Sequence, residues 1–107
     1  VNVGKEESKS GIFLEGLNDL IAEVSEMENI KIKGLMTIPP ICDSEAEVSK
    51  YFESMYQTFI DIKNKKIDNV DMDILSMGMS HDYEAAVKNG SNIVRVGSAI
   101  FGARKYF

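Results

Sequence analysis

Two glycine–serine junctions carry residue types suited to phosphate capture, Gly78-Met79-Ser80 and Gly97-Ser98. The first follows the apolar run Asp73–Met77 and the second follows Ile93–Val96, and each leads into a helix-like pattern. Glycine admits close backbone approach, serine adds a hydroxyl, and the first N–H groups of a helix favour an anion. The competing local reading is a helix cap at Ser80 and a tight turn at Gly97. Both local jobs are compatible with anion binding.

Arg95 is the sharpest single position. It lies between Val94 and Val96 in a strand-like run, so alternation places it on the face opposite both. A structural ion pair and a ligand contact are both open on the residues alone. Met77 and Met79 stand near the first junction, where methionine reads first as core filler. Met36 and Thr37 stand at another strand end, with Thr37 directed to the same mouth.

Other candidates weigh less. Lys5 and Lys9 lie in a polar, glycine-punctuated stretch, where solvated loop lysines are favoured over an anion contact. The single histidine, His81, precedes Asp82. Adjacent residues on a helix do not face each other, which favours a surface histidine over an oriented base. One cysteine and one histidine make no spaced metal cluster. There is no G-x-S-x-G elbow, and the Gly97–Gly102 stretch lacks the Lys-Ser/Thr of a nucleotide P-loop.

The elements that must position these residues follow in order. Val1–Val3 is β-prone and reads as the end of a strand that has lost its first residues, so the chain looks cut from something larger. Lys5–Gly11 is a loop. Ile12–Glu28 has apolar residues at Leu14, Leu17, Ile21 and Val24, with Phe13, Leu20 and Met27 widening the stripe, which predicts a helix capped at Ser10 and stopped near Asn29. Ile30–Met36 predicts a strand, ended by Thr37-Ile38-Pro39-Pro40 because proline removes ladder donors.

Ser44 with Glu47 fits a capping box for a helix over Glu45–Lys63. Its Val48, Phe52, Met55, Phe59 and Ile62 recur at helical spacing, which favours core packing over a ring-binding surface. Ile67–Met72 reads as a connection, Asp73–Met77 as a strand and Gly78–Ser80 as a loop. A short helix over Asp82–Lys88 ends at Asn89-Gly90, a left-handed cap pair. Ile93–Val96 is the last strand, and Gly97–Phe107 turns into a terminal helix. Strand–helix alternation of about four units predicts a parallel sheet with right-handed crossovers, and eight such units would close a barrel.

Composition narrows the function classes. The 107 residues allow one domain at most, with 44% hydrophobic and 27% charged residues, as in ordinary globular chains. A net charge of −5 and the absence of a basic stripe argue against nucleic acid or an anionic membrane as partner. Cys42 is alone, which fits a reducing compartment. No long apolar span or leader pattern is present, so a cytoplasmic protein is expected.

Three separated motifs carry a specific resemblance. LSMGMSHDYEAAVKNGSNIVRVGSAIFGARKY closely resembles the C-terminal signature of the pyridoxal-phosphate homeostasis protein family, and VNVGKEESKSG and GLMTIPP resemble its mid-chain motifs in the same order. The resemblance covers essentially the whole chain but only the second half of a family member. It implies an α/β fold, the C-terminal half of a (β/α)8 TIM barrel of the alanine racemase N-terminal type. It also implies pyridoxal 5′-phosphate (PLP) as cofactor, with Met77, Gly78, Ser80, Arg95, Gly97 and Ser98 on the phosphate and ring-nitrogen side.

In that family the cofactor is held through a Schiff base to a lysine on an early strand, expected in the missing N-terminal half. Lys5, Lys9, Lys31 and Lys33 do not stand in that lysine motif, and no catalytic residue is assigned. The expected function is cofactor binding and homeostasis without catalysis. The alternatives are a racemase-like enzyme, or a structural half that needs its complement or self-associates through exposed sheet edges.

Overall fold

The computed structural model describes residues 1–103, in the order α1 (Leu14–Ser25), β1 (Ile32–Met36), α2 (Glu45–Lys65), β2 (Val70–Met79), α3 (Tyr83–Lys88), β3 (Ile93–Arg95) and α4 (Ser98–Phe101). The three strands form a parallel sheet in the order β1-β2-β3. This is the α/β parallel architecture that the alternating pattern predicts. The expected helix residues at 104–107 lie outside the described residues.

One core fills the space between the sheet and its helices. Phe52, Met55 and Ile62 of α2 meet Leu75 and Met77 of β2, with Leu17 and Ile21 of α1, Leu35 of β1 and Ala85 and Ala86 of α3 in the same cluster. The predicted apolar stripe of α2 is therefore its core face. Burying each such large side chain contributes about 1.5–3 kcal/mol. Ser44 caps α2 as expected, its hydroxyl accepting the Glu47 N–H at 3.2 Å.

The opposite face of the sheet is much barer. Gly34 and Met36 alternate with buried Leu35, and Ile74 and Ser76 alternate with buried Leu75 and Met77, so these four share that face with Ile93, the β3 partner of Ser76. Met36, Ile74 and Ile93 there are 47%, 36% and 43% exposed.

Several expected boundaries are corrected. Val1–Val3 forms no strand, although the Val1 nitrogen donates to the Met36 carbonyl at 2.7 Å beside β1. Ser10 does not cap α1; Phe13 stands at that position without a side-chain bond. Phe13, Leu20 and Met27 are exposed, because α1 is the first helix of the layer and buries a narrower stripe. Val70–Met72 is strand rather than connection, with Val70 and Met72 buried while Asp71 pairs with Lys31 of the neighbouring segment at 2.8 Å. The Asn89-Gly90 cap after α3 stands as expected, with Asn89 at the cap and Gly90 in the positive-φ conformation.

Gly78 and Met79 also belong to β2 rather than to a loop. The register against β3 shifts between Ser76 and Met79, and Gly78 sits in the irregularity at φ +107°. A Cβ at Gly78 would lie 2.7 Å from the Ala86 Cβ and 3.1 Å from the Tyr83 Cα. Glycine there lets α3 press onto the strand. That close approach aims the end of β2.

Candidate functional site

The two glycine–serine junctions meet at the C-terminal ends of β2 and β3. Ser80 follows the last residue of β2, and its Oγ accepts the backbone N–H of Ala99 in the first turn of α4 at 3.1 Å. Ser80 is thus a cap, but for the helix after the next strand rather than for its own. Gly97 precedes α4 with its carbonyl accepting the N–H groups of Ile100 and Phe101 at 3.0 and 2.9 Å. Nothing lies within 4 Å of a Cβ added at Gly97, so open space adjoins the exposed Ser98.

Arg95, the last residue of β3, pairs with Met79 across the sheet, on the face opposite the helices. Its Nη2 reaches the Thr37 carbonyl at 3.5 Å, a long contact for N–H···O. Its Nε is buried without a hydrogen-bond partner. No carboxylate of the described residues pairs with it. A buried donor left unpaired costs about 1–3 kcal/mol, so an acceptor is wanted at this place.

The remaining candidates fall elsewhere. Met77 is fully buried among the helices, as core filler should be, and Gly78 is buried beneath α3. Met79 is half-buried at the register shift. Thr37 is only 1% exposed, donating its hydroxyl to the Val1 carbonyl at 2.7 Å.

Lys9 is not a solvated loop lysine. It bonds the Ile38 and Pro39 carbonyls at 3.3 and 3.1 Å and pairs with Glu6 at 2.5 Å, which ties its own loop to the loop after β1. Lys5 pairs with Glu15, whose carboxyl it holds below the ordinary range. Neither lysine is left for an anion.

His81 is exposed, yet its Nε2 lies 3.4 Å from Asp82 Oδ2. The expectation that these neighbours cannot face each other fails because they form the turn ahead of α3, not a helical step. Asp82 is meanwhile occupied, accepting the Met79 N–H at 2.7 Å. The cleft beside them, about 390 Å³, is lined by Asp43, Glu45, Asp82 and Glu84 as well as Ser80. Its acidic lining suits no phosphate. Among the described residues no cluster could hold a metal ion, and no helix is long and apolar enough to cross a membrane.

Sequence reasoning missed Asn2. It is 3% exposed, and its amide donates to the Glu6 and Lys9 carbonyls while its Oδ1 accepts the Glu6 N–H at 3.0 Å. An asparagine two residues ahead of a glycine is the available signal for such a loop-organising role.

Comparison with known proteins gives the frame for this geometry. A family model described as alanine racemase, N-terminal domain, matches residues 1–105. The pyridoxal phosphate homeostasis protein of Aquifex aeolicus is 43% identical over 106 residues, 99% of this chain and 46% of the relative. The protein of that name from Escherichia coli is also 43% identical, with 44% of its length covered. The chain therefore spans about half the length of the curated relatives it matches.

Among solved structures, PipY of Synechococcus elongatus without PLP superposes with a TM-score of 0.84 at 28% identity, over 95% of this chain and 47% of that one. Its PLP-bound form gives a TM-score of 0.79 at 26% identity, over 94% and 48% of the two chains. An unknown protein from Bifidobacterium adolescentis gives 0.87 at 35%, over 94% and 40%. With a match running from residue 1 to 105, the chain belongs to the alanine racemase N-terminal domain family.

Proposed function

We propose that this chain is the second half of a (β/α)8 barrel that binds PLP for cofactor homeostasis, and that it supplies the phosphate and ring-nitrogen side of the pocket. The observation that carries the reading is the junction at Ser80. Its bond to the Ala99 N–H joins the ends of β2 and β3 into one cup beside the open space at Gly97. Phosphate sites of such barrels are often built by the loops after the last two strands. The buried, unpartnered Nε of Arg95 supplies a donor on the same ends.

The residues fit the group. Gly97 leaves room for a phosphate, Ser80 and Ser98 offer hydroxyls, and Arg95 offers a fixed charge that does not give up its proton. An arginine against the ring nitrogen keeps that nitrogen unprotonated and weakens the cofactor as an electron sink. Met77 and Gly78 shape the end of β2 from behind. When bound, the cofactor contributes a reactive aldehyde, which a closed barrel would shield from stray amines. The lysine that holds it belongs to the complementing half, and non-catalytic carriage in the cytoplasm is the resulting role.

The bare sheet face with Met36, Ile74 and Ile93 supports the half-barrel reading, since a complementing half would cover it. Native mass spectrometry with added PLP tests the function. An assembly of this chain with a complementing half and one PLP is expected. An 11.9 kDa monomer that ignores both complement and PLP overturns the reading. Sustained amino-acid turnover by the assembled protein would favour the racemase-like alternative.

A further inference from the structure

We propose that Thr37 is the positioning residue for Arg95, acting through its backbone carbonyl; the inference rests on the role given to Arg95 above. Thr37 donates its N–H to the Ser76 carbonyl at 3.1 Å, continuing the β1–β2 ladder one step past β1. A regular parallel ladder would next bring the Gly78 N–H to the Thr37 carbonyl. Among the described residues the Gly78 N–H does not make that bond; Gly78 stands at φ +107°, where the register of β2 against β3 shifts. Among the described residues, the donor that reaches the Thr37 carbonyl is Arg95 Nη2 at 3.5 Å.

That carbonyl is rigidly placed. The Thr37 side chain is 1% exposed and its hydroxyl is bonded to the Val1 carbonyl at 2.7 Å. The Ile38-Pro39-Pro40 segment that follows has restricted backbone freedom. A guanidinium is planar, so holding one Nη against a fixed acceptor sets the plane of the group and the direction of its Nε. The Nε so aimed is the atom that is buried and unpartnered. The contact's length makes it a guide for direction more than a source of stability.

The test uses Thr37→Val and Thr37→Ser in the assembled barrel, with Arg95→Ala as reference. Thr37→Val keeps the carbonyl but removes the hydroxyl that anchors it. It is expected to shift the ¹⁵N resonance of Arg95 Nε in the cofactor-free protein, to move the absorption band of bound PLP, and to weaken PLP binding by up to about tenfold. Thr37→Ser should restore all three. An Arg95→Ala that moves the band beside a Thr37→Val that moves nothing overturns the positioning role alone. An Arg95→Ala without effect overturns the Arg95 assignment beneath it. If Thr37→Val does not fold, the unsubstituted protein decides: separate, slowly averaging Arg95 Nη signals support the role, and freely rotating ones defeat it.

Discussion

Ser80 and Ala99 are joined by a hydroxyl-to-amide hydrogen bond of 3.1 Å that spans two strand ends and caps α4 from outside its own loop. A serine hydroxyl accepts and donates at once, so Ser80 can keep the Ala99 N–H while giving its own proton to an anion. The same bond is therefore compatible with the proposed phosphate cup. Ser80→Ala should cost about 1.5–3 kcal/mol of PLP binding, the usual value for a hydrogen bond to a charged group. Absorbance titration of the assembled barrel measures this. Unchanged affinity in both Ser80→Ala and Ser98→Ala would remove the phosphate-cup assignment.

Arg95→Ala separates ligand binding from folding. The side chain makes one long contact, to Thr37, and carries a buried Nε with no partner, so its loss removes little that holds the fold. The melting temperature should change by only a few degrees, since about 1 kcal/mol shifts a domain of this size by roughly 4–8 °C. PLP affinity and absorption should change clearly. A variant that fails to fold, with no separable effect on PLP, would show that the arginine is structural.

Gly78 and Gly97 should respond oppositely to alanine. At Gly78 the added Cβ would meet Ala86 at 2.7 Å on a backbone with positive φ, so a loss of about 1–3 kcal/mol in stability is expected. At Gly97 the Cβ meets nothing within 4 Å and φ is −106°, so stability should hold while the room for phosphate shrinks. Denaturant unfolding paired with PLP titration reads both. Equal stability losses would contradict the division of labour between the two glycines.

These residues also mark how far the sequence was legible. The helical stripe from Val48 to Ile62 and the Ser44 cap are local patterns, and both appear where periodicity and capping rules place them. Val70–Met72 was not legible as strand, because aspartates disfavour strands and their compensation comes from Lys31 and Lys33 on the neighbouring segment. Gly78 reads locally as a loop glycine, whereas its reason is the approach of Ala86 and Tyr83. The meeting of Arg95 with Thr37, 58 positions apart, depends on strand order, which no short window contains.

Cys42 gives a prediction independent of the site. Burial pushes its thiol above the ordinary range, and the carboxylates of Glu47, Asp43, Asp82 and Glu6 push the same way by disfavouring a further negative charge. Its Sγ also donates to the Pro40 carbonyl at 3.3 Å, a bond available only to the protonated form. A raised folded-state value means less thiolate than an unfolded cysteine has at the same pH, so the native thiol should react slowly near neutrality. The rate with a neutral alkylating reagent should rise through a midpoint above that of the denatured chain. Added salt should lower the midpoint somewhat by screening the exposed carboxylates of Glu47 and Asp43. A native midpoint at or below the denatured one would mean that neither burial nor the acidic neighbours govern this thiol.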